Sequence, residues 1–283
     1  MKNVKVIADS TCDLSQELLD KYDIKIIPLY ILLDEESYKD GLEITPAELY
    51  EWSDKNGKTP KTAAPGIDVV QGILEKYDKE ETDLIFFGIS EEMSTTCNVV
   101  RLAAQEMEYE GFYVIDSRNL STGIGLQVLK AAELAAQGMA AEDIVKTIEA
   151  QRDKVRASFV IDTLTYLHRG GRCSAMTALV AGALKLKPRI SVADGKMDVT
   201  KKYRGNIRGV ILKYVQDMEG DLKQAEDTRV FITHSGCSPE IVEQVRSYLE
   251  SLGHFKEIHE TLAGSVVSSH CGPNTLGVLF YAK

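Results

Sequence analysis

Three short segments of this 283-residue chain gather hydroxyl, carboxylate and amide side chains where predicted strands end. They are Asp9-Ser10-Thr11-Cys12-Asp13, the run from Ser90 to Thr96, and Asp116-Ser117-Arg118-Asn119. Parallel α/β sheets bind ligands in the crevice beyond the carboxyl ends of their strands, so chemistry is expected there. Ser94-Thr95-Thr96 stands at a predicted helix start, where hydroxyls and free backbone N–H groups at the positive end of the helix dipole suit an anion. Plain N-capping would use the same residues. Thr62, in Thr62-Ala63-Ala64-Pro65-Gly66, is either a ligand donor or a turn residue. His270 lies between two strand-like runs and just ahead of Gly272-Pro273, which predicts a tight turn. His168, His234, His254 and His259 read as structural.

Other chemistries leave weaker traces. Ser94 and His270 could pair as nucleophile and base in a hydrolase or transferase, but no third member of a triad is evident. The chain has no GxSxG elbow, no HExxH and no GxxxxGK[ST] loop. Ser121-Thr122-Gly123-Ile124-Gly125 resembles half of a dinucleotide loop, yet Val128 occupies the third glycine position, so close helix–strand packing is expected instead. The five cysteines are odd in number and lack CxxC spacing, which argues for buried free thiols over disulfides or zinc. No metal or cofactor is expected.

The elements that must hold these residues follow from periodicity. Val4–Ala8, Ile24–Leu33, Leu84–Ile89 and Phe112–Ile115 read as strands. Helices are expected after an Asp13/Gln16 capping box, from Thr45-Pro46-Ala47-Glu48, after Pro65, over 95–107, over 119–137 and over 141–155. This alternation implies a parallel sheet covered on both faces. After about residue 156 the order changes. A strand at 157–161 precedes two helical stretches flanking Gly170-Gly171, a hairpin through Asp194-Gly195, and then mixed helices and strands. The expected fold is an N-terminal parallel-sheet α/β domain (1–160) and a C-terminal α+β domain (161–283), with a ligand between them.

The net charge of −10 argues against nucleic acid or an anionic membrane as partner. It is unevenly spread: Thr163–Lys213 holds eleven Lys or Arg against two Asp. That stretch is either a solvated basic face or a place for a local anionic partner. No apolar run is long enough to span a bilayer, and the N-terminus lacks the apolar core of a signal peptide, so a cytoplasmic protein is expected.

Taken together, several of these segments resemble the DegV family, fatty-acid-binding proteins that serve bacterial fatty acid kinases. Asp9-Ser10-Thr11-Cys12-Asp13-Leu14 is similar to the family's N-terminal signature. Thr62-Ala63-Ala64-Pro65-Gly66 is similar to its Thr-Ser-x-Pro-Ser motif, and Met93-Ser94-Thr95-Thr96 to its Leu-Ser-Gly-Thr motif. Tyr166–Arg172 resembles its Leu-x-x-Gly-Gly-Arg segment. Lys187-Pro188, His270, Gly272-Pro273 and Gly277 also fit. The resemblance implies a lipid-binding protein rather than an enzyme, with one long-chain fatty acid such as palmitate held between the domains. It implies that Thr62 and Ser94 bind the carboxylate with His270 close by. It further implies that Arg172, and Arg204 with it, serve phosphoryl transfer by a separate ATP-binding fatty acid kinase subunit. Ala63 and Gly66 replace serines of the first motif, Thr95 replaces a glycine, and Cys97 an aromatic residue. A regulatory module for another small anion is the remaining alternative.

Overall fold

The computed structural model describes residues 2–173 and 186–283. Strands β1 (Asn3–Asp9), β2 (Lys25–Ile27), β6 (Thr82–Gly88) and β7 (Phe112–Asp116) form a parallel sheet in the order β2-β1-β6-β7. The inner strands are near-continuous apolar runs because helices cover both faces. Strands β3 (Tyr30–Leu33), β4 (Glu36–Lys39) and β5 (Lys61–Ala63) make a small antiparallel sheet, in which Thr62 pairs with Ile31. The later strands are β8 (Val155–Val160), β9 (Leu186–Ala193), β10 (Lys196–Arg204), β11 (Ala225–Ser235), β12 (Glu257–Leu262) and β13 (Thr275–Ala282). They join in the order β10-β9-β8-β13-β11-β12, antiparallel except for the β11–β12 pair. The chain is therefore a mixed α/β fold with an N-terminal parallel sheet and a C-terminal mixed sheet.

The helices are α1 (Gln16–Lys21), α2 (Pro46–Asn56), α3 (Ile67–Leu74), α4 (Thr96–Glu106), α5 (Thr122–Ala136) and α6 (Ala141–Gln151), then α7 (Thr165–Gly170), α8 (Ile207–Gln216), α9 (Glu219–Gln224), α10 (Pro239–Ser251) and α11 (Ser265–Cys271). Helix α5 joins the two large sheets, touching β1 and β6 as well as β8 and β13. Its residues 122–129 are all buried, as a helix between two layers requires. Ile124 and Leu129 share one core with Phe87 of β6 and with Phe159 and Leu279 of the mixed sheet. The glycines of the Ser121–Gly125 segment do serve close packing, Gly123 against Asn119 and Gly125 against the turn after β1. A Cβ at Gly125 would lie 2.7 Å from Leu14 Cδ2 and 3.0 Å from the Cys12 carbonyl oxygen. All five cysteines are buried. No helix among the described residues is long and apolar enough to cross a membrane.

Three sequence expectations need correction. The single strand predicted over 24–33 is broken at Pro28, which has no N–H for a ladder, so β2 and β3 belong to different sheets. Helix α1 is capped by Ser15, not by an Asp13 capping box; Asp13 takes a left-handed conformation (φ 50°) and is bonded elsewhere. His270 sits in the last turn of α11, and the sharp turn comes two residues later at Gly272 (φ 77°). The capping box predicted at Thr45 and Glu48 is present, with Pro46 in the first turn. The second helical stretch expected after Gly171 falls largely on 174–185, outside the described residues.

Because one core spans both large sheets, Ile124→Ala is expected to cost about 3 kcal/mol, the usual loss for a fully buried Ile truncated to Ala. Urea unfolding followed by near- and far-UV circular dichroism checks this. One shared transition at lower urea is the expected outcome, and separate transitions would contradict a continuous core.

Candidate functional site

Thr62 and His270 are 208 positions apart in sequence, yet their side chains meet. Thr62, on β5, and His270 Nε2 form a hydrogen bond of 3.0 Å. The opposite ring nitrogen, Nδ1, is buried and has no hydrogen-bond partner among the described residues. Gly170 leaves the space for it, since a Cβ there would lie 2.3 Å from Nδ1. Gly171 ends α7 in a left-handed conformation (φ 69°), and Arg172 follows. Arg172 donates to the Gly170 carbonyl at 2.7 Å, and its Nε reaches the Met93 carbonyl at 3.4 Å. The Gly-Gly-Arg segment thus makes room for the imidazole, turns the chain and sets a guanidinium beside it. Burial lowers the His270 pKa from the usual 6.5 to about 4, and the Arg172 charge pushes the same way. A buried ring N–H without an acceptor is costlier than a bare ring nitrogen, which favours the tautomer protonated at Nε2. Nε2–H then donates to Thr62, whose own hydroxyl proton is left free for a ligand.

Ser94 stands just before α4. Its hydroxyl is 2.8 Å from the Thr96 hydroxyl and accepts the Thr96 N–H at 3.3 Å. Part of its role is therefore the helix-start bond that plain capping predicts. Thr95 occupies the N-cap without a side-chain bond.

Thr62, Ser94, His270 and Arg172 all line one cavity of about 530 Å³. The rest of its lining is mostly apolar and comes from both halves of the chain, including Leu29, Ile89, Leu120, Met197 and Val267. Among the described residues Glu91 is the one acidic side chain on the lining, and it is paired with Arg101. The β9–β10 hairpin reaches across to this region: Ser90 donates to the Gly195 carbonyl at 2.8 Å, and Met197 closes part of the wall. Arg204 is not part of the lining; it is exposed, seven residues along β10 from Met197. Sequence reasoning missed the wall residues Leu29, Leu120, Met197, Val266 and Val267, because apolar residues lining a cavity look like any other core residues. Ser94 and His270 share no hydrogen bond, and among the described residues no carboxylate orients the His270 ring.

The sequence model of the family described as "uncharacterised protein, DegV family" matches residues 3–283. The chain belongs to the DegV family. A DegV domain-containing protein of Clostridium perfringens is 34% identical over 286 residues, covering 100% of this chain and 99% of that protein. A DegV family protein from Thermus thermophilus, whose structure is described by its fatty acid binding, superposes with TM-score 0.91 at 27% identity. That match covers 99% of this chain and 100% of the other. DegV of Bacillus subtilis, described as a fatty acid binding protein, gives TM-score 0.87 at 27% identity with both chains fully covered. Of the departures from the DegV motifs, Ala63 and Thr95 line the cavity while Gly66 and Cys97 do not. Gly66 is the N-cap of α3 and offers it no hydroxyl, a loss of only a few tenths of a kcal/mol at about that position. Cys97 is buried in the core between β6 and α4.

The His270 ring is expected to remain neutral from about pH 8 down to about pH 5 when followed by nitrogen NMR of the imidazole. The sign follows from its lowered pKa. Between pH 6.5 and about 4 the unfolded chain takes up a proton that the folded ring refuses, so this residue's contribution to stability falls with pH through that window. Titration near the ordinary value of a free histidine would contradict the buried, Arg172-facing geometry.

Proposed function

We propose that this chain encloses one long-chain fatty acid such as palmitate and presents its carboxylate to a separate ATP-dependent kinase, afterwards carrying the acyl phosphate. The observation that carries the reading is the shape and polarity of the cavity: an apolar space of about 530 Å³ with Thr62, Ser94 and His270 grouped on its lining. The fatty acid binding described for the Thermus thermophilus and Bacillus subtilis relatives supports it. A C16 chain gains roughly 12 kcal/mol on burial, at about 0.8 kcal/mol per methylene, before ordering and association costs. The head group loses its water and needs donors in return. In this reading the Thr62 and Ser94 hydroxyls supply them, each contributing about 1.5–3 kcal/mol as a charge-assisted bond. Neutral His270 holds Thr62 in place from behind.

Neutral donors suit a carboxylate that must still react. A fixed cation on its oxygens would draw off the charge with which it attacks a phosphoryl group, whereas hydroxyls hold it and leave more of that charge in place. Arg172, part of the cavity lining yet exposed, is placed to meet incoming phosphates, and Arg204 offers a further exposed charge for the kinase. The lack of a Ser94–His270 bond weighs against a hydrolase or transferase built on those two residues.

Thr62→Ala and Ser94→Ala are each expected to weaken palmitate binding about tenfold or more, the lower end of a charge-assisted bond. Titration calorimetry on delipidated protein reads this, and wild-type affinity in both variants would remove the two hydroxyls from the site. The double variant Arg172→Ala, Arg204→Ala is expected to be purified with lipid still bound but to support no kinase-dependent acyl phosphate. Undiminished acyl phosphate would take both arginines out of the transfer step.

A further inference from the structure

None of Asp9, Ser10, Asp13 or Asp40 lines the head-group cavity, yet the three carboxylates are buried and bonded towards its walls. Asp9 accepts the Ile89 N–H at 2.7 Å, and the Thr11 N–H and hydroxyl at 2.9 and 2.5 Å. Ser10 accepts the Leu29 N–H at 3.1 Å and donates to Asp40 at 2.8 Å. Asp13 accepts the Ser121 hydroxyl at 2.6 Å and the Gly264 N–H at 2.8 Å. Asp40 accepts the Ser265 and Val266 N–H groups at 2.7 and 3.3 Å, where α11 begins. Leu29, Ile89 and Val266 line the cavity themselves, and Ser121 follows Leu120, which also does. The same small cluster is therefore tied to four wall segments that are far apart in sequence.

We propose that the Asp9–Asp13 turn and Asp40 are a positioning unit for acyl binding, holding the walls at Leu29, Ile89, Leu120 and Val266 at fixed separations through hydrogen bonds to each segment. The inference rests on the fatty-acid reading and deepens it, because it assigns a task to the N-terminal signature that head-group binding leaves unused. Each bond satisfies a polar group in a wall segment, so losing one leaves that group without this partner and its wall free to move. Gly264 shows how closely the unit grips α11: a Cβ there would lie 3.3 Å from Asp13 Oδ1 and from both Asp40 oxygens. What the unit supplies is acceptor geometry rather than charge. Burial raises the pKa of all three carboxyl groups, Asp9 to about 6, and hydrogen bonds rather than basic side chains oppose that rise. An amide that keeps the acceptor oxygen is then a fair substitute.

The test measures palmitate affinity by calorimetry, together with the carboxyl resonance of [1-13C]palmitate in the complex. Asp40→Ala and Ser10→Ala are expected to weaken binding about tenfold or more and to shift that resonance, as the loss of a buried hydrogen bond displaces a wall. Asp40→Asn is expected to return the affinity to within about threefold of wild type, since its Oδ1 still accepts from Ser265 and Val266. Val245→Ala, in the separate core under α10, controls for lost stability and is expected to leave affinity and resonance alone. Ser10→Ala removes no charged group, so it decides the matter if Asp40→Ala does not fold. Wild-type affinity in Ser10→Ala overturns the proposal, as does an Asp40→Asn variant no better than Asp40→Ala. Failure of the wild type itself to bind palmitate would defeat the fatty-acid reading first and this inference with it.

Discussion

A carboxylate joined to a long apolar chain must shed water where the chain is buried, and in the proposed reading the arrangement at this site is the answer to that loss. The 3.0 Å bond between Thr62 and His270 is central to it. An imidazole protonated only at Nε2 gives its single proton to Thr62 and so turns the threonine hydroxyl outward as a donor. That requires a neutral ring, which burial and the Arg172 charge both enforce. It also requires room behind the ring, which only glycine at position 170 leaves. A charged histidine in the same place would act as a fixed cation, holding the carboxylate more tightly and making it a poorer nucleophile.

The remainder of the fold can be understood as support for that bond. β5 brings Thr62 from the small sheet, α11 brings His270 from the C-terminal part, and the loop after β6 brings Ser94. No one of these segments is near another in sequence, so the site exists only when the sheets are assembled around α5. The basic stretch is less available than its composition suggests. Lys187, Lys196, Lys201 and Lys213 pair with Asp162, Glu92 and Asp217, whereas among the described residues Arg172 and Arg204 have no carboxylate partner. Among the described residues, the charge left for a phosphate or a docking partner includes these two arginines and the exposed Lys202.

Much of this was legible in the sequence, for identifiable reasons. Leu84–Ile89 reads as a strand because a strand buried on both faces is a continuous apolar run; Phe112–Ile115, at the sheet edge and partly exposed, keeps an apolar run of the same kind; and Thr45-Pro46-Ala47-Glu48 reads as a helix start because cap, proline and glutamate act locally. The sequence predicts a turn at His270 because a seven-residue helix between strand-like runs carries too short a periodic signal. The break at Pro28 leaves little trace in the pattern, because the flanking residues are equally apolar although they belong to two sheets. For Thr62, Ser94, His270 and Arg172, motif resemblance named the residues, while the cavity they share is a tertiary property. Leu29 and Val266 carried no signal at all, since a wall and a core look alike in one dimension.

The central claim is that this cavity holds an acyl chain, and native mass spectrometry of the purified protein before and after delipidation tests it most directly. The account predicts one adduct per chain with the mass of a long-chain fatty acid, lost on delipidation and restored at unit stoichiometry by added palmitate. A single unliganded mass both before and after palmitate is added would contradict it.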